Sequence, residues 1–131
     1  MAEQSARPLS PHLSVWRWGP AMTVSILHRI TGGAVTVAGL AVLTWWLMAL
    51  ADGSGAYDDF SALADTWIGK LVLIGLTWTF FQHLFSGIRH LVMDTGENFE
   101  IGGNKTSAIL TIVLSVLLTA GLWFYILGGA K

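Results

Sequence analysis

Cysteine is absent from all 131 residues of this chain. That excludes disulfides, thiolate-held zinc and any iron–sulfur cluster ligated from within it. An electron passing through must come from a cluster or cofactor held elsewhere. Charge is scarce too: Asp, Glu, Lys and Arg make up 11% of the residues and apolar types 53%, where soluble domains carry about 25% charged residues. Such a chain cannot clothe a water-facing surface, and a mean hydropathy of +0.62 makes the bilayer its solvent. The net charge is −1 with dispersed acids, which offers nothing to nucleic acid. Proline stops at Pro8, Pro11 and Pro20, within a polar segment that lacks the apolar core of a secretory signal. The segment is also short and poor in Arg and Ser for a mitochondrial transit peptide. No cleaved leader is expected, and the chain reads as a mature bacterial inner-membrane protein.

Long runs without formal charge are what the sequence does have, at residues 30–51, 71–88 and 106–130. Each can cross a ~30 Å hydrocarbon layer at ~1.5 Å per residue, the second only with help from its flanks. They are too long for barrel strands and do not alternate. The expectation is an all-α membrane protein, one membrane-anchor domain over 1–131. Its transmembrane helices fall at about 23–51, 67–92 and 106–129, behind a cytoplasmic segment 1–22. No internal repeat is evident. Arg7, Arg17, Arg29, Arg89 and Lys105 lie to one side of the spans, against Lys70 and Lys131 on the other. By the positive-inside rule the N-terminus is cytoplasmic and the C-terminus periplasmic. The 52–66 connection agrees, holding Asp52, Asp58, Asp59 and Asp65 and no base. Trp45, Trp46, Trp67, Trp123 and Tyr125 then collect at the outer interface, and Trp16 and Trp18 at the inner one.

His83 stands alone in the second run. An imidazole in hydrocarbon loses its water partners at a cost of several kcal/mol unless something binds it. Gly87, one turn on and about 40° around the helix, leaves room beside it for a flat macrocycle with its iron on the ring. The alternative is a histidine hydrogen-bonded to a neighbouring helix. Thr79, one turn earlier, is available to accept from the ring's second N–H. Ser25, His28 and Arg29 share a face at the inner end of the first helix, where Arg89 and His90 end the second. That cationic patch suits the two propionates of haem, with Arg pairing a carboxylate. Plainer roles are also open: an N-cap for Ser25, snorkelling for Arg29, and close helix packing for Gly32, Thr36 and Gly39. His90 cannot reach the far side of the same iron, and His28 near its helix start suits a propionate better, so a six-coordinate haem needs its other ligand from another polypeptide. Glu97 and Glu100, with Asp94, mark an inner loop that reads as a solvated turn.

Three motifs then make the chain familiar. Residues 7–13 read RPLSPHL, 25–32 read SILHRITG and 83–94 read HLFSGIRHLVMD. Together they resemble the cytochrome b subunit of succinate dehydrogenase, over almost the whole chain. The resemblance implies a membrane anchor that, with a second small anchor subunit, holds a flavoprotein and an iron–sulfur protein on the cytoplasmic face. It implies one haem b shared with that partner and bound axially by His83, with His28, Arg29 and His90 at the propionates. It also implies a ubiquinone site lined by Ser25 and Arg29, whose donors would meet a quinone carbonyl. Trp16 stands where the family leads one to expect tyrosine. Two rivals stay open: a fumarate reductase anchor running the couple backwards, and a cofactor-free scaffold or transport subunit.

Overall fold

The computed structural model describes residues 16–129. The 7–13 motif, Arg7 and Lys131 lie outside them. Four helices follow one another: α1 (Pro20–Asp52), α2 (Ser54–Asp65), α3 (Trp67–Asp94) and α4 (Ile101–Gly129). Three of them, α1, α3 and α4, are long and apolar enough to cross a membrane. At ~1.5 Å per residue, the 28 residues of α3 reach about 42 Å.

Pro20 starts α1 at the position where its missing N–H costs nothing, after an extended Gly19. Thr23 donates back to the Gly19 carbonyl and accepts from the Trp18 indole. Because the helix begins five residues before Ser25, the capping role for that serine falls away. Within α1, Val35–Gly39 forms a wider π turn, with the Leu40 N–H reaching the Val35 carbonyl. Such turns are rare and re-aim the helix beyond them.

The connection 52–66 is not a loop. It contains α2, entered through Gly53 at a φ of 102° that side-chain-bearing residues avoid. Phe60 meets Trp45 edge-on at 4.9 Å, so α2 folds back on the end of α1. Thr66 caps α3 by accepting from the Gly69 N–H. A Cβ at Gly69 would collide with the Leu63 and Ala64 carbonyl oxygens, so only glycine permits this tight corner. At the other end the 95–100 turn uses Gly96 at φ 89° and Asn98 at φ 67°. The third spanning helix starts at Ile101, upstream of the run beginning at 106, because Gly102, Gly103 and Asn104 join its first turn.

The bundle is polar inside and apolar outside. Thr79, Gln82, Ser86 and Arg89 form a buried stripe on α3 at spacings of three and four, facing Ala108, Thr111, Ser115 and Thr119 on α4. Most of these hydroxyls donate to a carbonyl three or four residues back in their own helix. The self-satisfied side chains stay short and let the backbones approach. Between helices in lipid, where no hydrophobic drive exists, that closeness is the main source of attraction. Ser115 also reaches the Gln82 side-chain oxygen at 2.8 Å. Trp123 is half-buried with its N–H on the Thr77 hydroxyl at 3.2 Å, a link between α3 and α4.

Candidate functional site

His28 on α1 and His83 on α3 meet face to face, ring centres 4.2 Å apart and planes within 4°. Each ring is held by the opposite helix. The His83 Nδ1 lies 3.2 Å from the His28 carbonyl oxygen and 3.4 Å from the Thr31 hydroxyl. The Thr31 hydrogen points to the Leu27 carbonyl at 2.7 Å, so both neighbours of Nδ1 act as acceptors. Nδ1 therefore carries the proton, and the lone pair of His83 resides on Nε2, which meets no hydrogen-bond partner among the described residues. The His28 Nδ1 lies 2.7 Å from the Ser86 hydroxyl, whose hydrogen goes to the Gln82 carbonyl at 2.6 Å. The His28 Nδ1 and the Ser86 hydroxyl thus form one hydrogen bond that ties the His28 ring to α3.

The two clasps use one pattern. His28, Thr31 and Gly32 are spaced as are His83, Ser86 and Gly87, a short H-x-x-[S/T]-G correspondence on both helices. Gly32 faces the His83 ring so closely that a Cβ there would lie 2.9 Å from its Cε1. The corresponding distance from Gly87 to the His28 Cε1 is 3.8 Å. The space beside Gly87 is thus filled by His28, while the notch for His83 is cut by Gly32. Sequence reasoning missed Thr31 and Ser86 as ring partners. The repeated spacing is the signal that would have found them.

Thr79 does not orient His83, since its hydroxyl donates to the Gly75 carbonyl at 2.7 Å. His90 joins the cluster, its ring centre 5.0 Å from that of His28. Arg29 is exposed on the outside of α1, and Ser25 is half-buried one turn before His28. Neither side chain makes a hydrogen bond among the described residues, so both are free to meet a further molecule. Arg89 leaves the expected patch. Its guanidinium turns to α4, donating to Asn104 Oδ1 at 2.8 Å and Ser107 Oγ at 3.1 Å. Six residues from His83 amount to about 240° of helix turn, which places Arg89 on a different face. His90, at seven residues, returns to the histidine face.

Chemically, the arrangement presents one imidazole lone pair with the opposite nitrogen anchored on a carbonyl, the usual state of a metal-ligating histidine. No three His, Cys, Asp or Glu side chains converge among the described residues. Among the described residues, His83 has no second His, Cys, Asp or Glu pair with which to close a metal site.

Comparison with known proteins gives the same family. Residues 3–122 match the family described as the succinate dehydrogenase/fumarate reductase transmembrane subunit. The chain is 43% identical over 115 residues to a succinate dehydrogenase cytochrome b556 subunit of Paracoccus denitrificans, covering 85% of this chain and 88% of that one. It is 39% identical over 118 residues to the cytochrome b556 subunit of Rickettsia felis, covering 89% and 90%. The human mitochondrial cytochrome b560 subunit is 32% identical over 123 residues, 90% of this chain and 70% of the other. A polar-cored three-span bundle with a histidine clasp near one end, and matches that run through all three spans, have one reading: the chain belongs to the succinate dehydrogenase/fumarate reductase transmembrane-subunit family.

Proposed function

We propose that the chain is the large membrane anchor of a succinate:ubiquinone oxidoreductase in a bacterial inner membrane. It holds one haem b together with a second small anchor subunit, and His83 is the axial ligand this chain contributes. The observation that carries the reading is the His83 ring: Nδ1 on the His28 carbonyl at 3.2 Å and Nε2 unengaged. The residues fit the group. The His28 stack covers only the face of the His83 ring and leaves its Nε2 edge, which would hold the group, without a hydrogen-bond partner among the described residues. The Gly32 notch holds the imidazole where a side chain would displace it. Haem bound there supplies a one-electron carrier.

His28, Arg29 and His90 are the donors for the propionates, since two imidazoles within 5.0 Å and a nearby guanidinium suit an anionic edge. Ser25 and Arg29 form the quinone side of the site. The Ser25 hydroxyl donates to a ubiquinone carbonyl, and the Arg29 guanidinium offsets negative charge as electrons arrive from the iron–sulfur subunit. Both lie near the start of α1, where protons reach the quinone oxygens over a short wet path. Flavoprotein and iron–sulfur subunits dock at that end. The N-terminus and the 95–100 turn face the cytoplasm, because Arg17, Arg29 and Lys105 gather there, while α2 with Asp58, Asp59 and Asp65 faces the periplasm.

The test is a reduced-minus-oxidised absorption spectrum of the purified complex. His83→Ala should abolish the b-type alpha band while all subunits still co-purify. A full band in that variant overturns the proposal.

A further inference from the structure

Arg89 is a cation only 6% exposed, inside a membrane helix, and its two hydrogen-bond partners are neutral. No carboxylate lies within ion-pair distance of it among the described residues, where Lys70 with Asp65 is the single salt bridge. Glu97 and Glu100, in the neighbouring turn, are exposed and do not pair with it. A buried guanidinium without an anion is costly, and its two bonded nitrogens leave further N–H groups to be met.

A groove of about 190 Å³ opens beside this side chain, between α3 and α4 on the side away from the histidines. Its walls are Phe85, Ile88, Val92, Leu110 and Leu114, and its upper end is Arg89, Asn98 and Ser107. The apolar part extends into the span and the polar part lies at the membrane boundary, next to the first turn of α4. Val92, Leu110 and Leu114 are exposed, so the groove is open to the surroundings of the bundle. Asn98 donates to Ser107 at 2.6 Å, and Ser107 accepts from Arg89, so the three polar groups are braced as a unit.

We infer that this groove binds an anionic phospholipid of the adjacent leaflet, its phosphate on Arg89 and an acyl chain along Ile88, Val92 and Leu114. Charge selects the occupant: a single buried positive group calls for one negative headgroup, and the walls call for hydrocarbon. Basic pockets between spanning helices take anionic headgroups for this reason. The site is separate from the histidine face and does not depend on what that face binds.

The experiment uses the assembled complex in detergent. Native mass spectrometry follows retention of phosphatidylglycerol against phosphatidylcholine, with inorganic phosphate as a separate arm. Wild type should keep phosphatidylglycerol selectively, and Arg89→Gln should lower retention about fivefold, the effect of one cation near an anionic surface. Val92→Trp fills the groove while keeping the Arg89 charge and should also lower retention, which keeps the test valid if Arg89→Gln does not assemble. Equal retention of both lipids by wild type, or undiminished phosphatidylglycerol in Val92→Trp, overturns the inference. So does inorganic phosphate that displaces the lipid at millimolar concentration, since the site would then serve a small anion.

Discussion

Gly32→Ala probes the closest approach of α1 and α3. The added methyl would lie 2.9 Å from His83 Cε1 and 3.3 Å from Nδ1, where unstrained carbon contacts need about 3.5–4.0 Å. The imidazole has no easy escape. Its face rests on His28 at 4.2 Å and its Nδ1 is tied to the His28 carbonyl at 3.2 Å. Relief requires the two helices to part by several tenths of an ångström or the ring to leave its hydrogen bond. Overpacking of this kind costs about 1–3 kcal/mol. Gly33 is the internal control, since a Cβ there meets nothing within 4 Å. Gly33→Ala should be neutral or stabilising by up to about 1 kcal/mol through helix propensity. The assay is thermal melting of the purified complex, with the haem band recorded on the same samples. Gly32→Ala should melt several degrees lower and show a weakened or shifted band, and Gly33→Ala should melt at or above wild type with an unchanged band. Equal melting and equal spectra for the two variants would refute the reasoning.

Three further expectations concern other parts of the bundle. Ser25→Ala and Arg29→Ala should each lower quinone reduction by tenfold or more, with the haem band largely intact. Loss of haem in Arg29→Ala would instead assign that side chain to the propionates. Gln82 is 0% exposed and its amide nitrogen has no partner among the described residues. Gln82→Leu should therefore leave the melting temperature unchanged or raise it, because it removes an unsatisfied donor while Ser115 keeps its bond to the Ile112 carbonyl at 2.8 Å. Ser115→Ala should lower stability by about 1–2 kcal/mol, since it strands the Gln82 oxygen as well. The opposite order of the two melting temperatures would contradict this account of the core.

The spans were legible because hydrocarbon imposes so strict a rule: charge-free runs of sufficient length become helices that cross it. Helix α2 was not, because Asp58, Asp59 and Ser54-Gly55 read as a solvated connection. In the fold Phe60 packs on Trp45 of α1, a contact between helices that no local pattern in 52–66 announces. At the site, the sequence singled out His28, His83 and His90, which the fold brings together. It misplaced Arg89, although helix arithmetic alone separates residue 89 from residue 83 by a third of a turn. It also assigned the ring partner to Thr79 within the same helix, when Thr31 and the His28 carbonyl across the interface take that place. Contacts between helices depend on relative rotation and depth, and no local pattern in one helix reports those.

The central claim is that His83 offers Nε2 to iron while Nδ1 remains protonated on the His28 carbonyl. Hyperfine spectroscopy of the oxidised complex, with histidine labelled by nitrogen-15 at Nε2 or at Nδ1, tests this directly. The account predicts strong coupling to an Nε2 label that diminishes in His83→Ala. Strong coupling to Nδ1, or an Nε2 signal unchanged by His83→Ala, would contradict it.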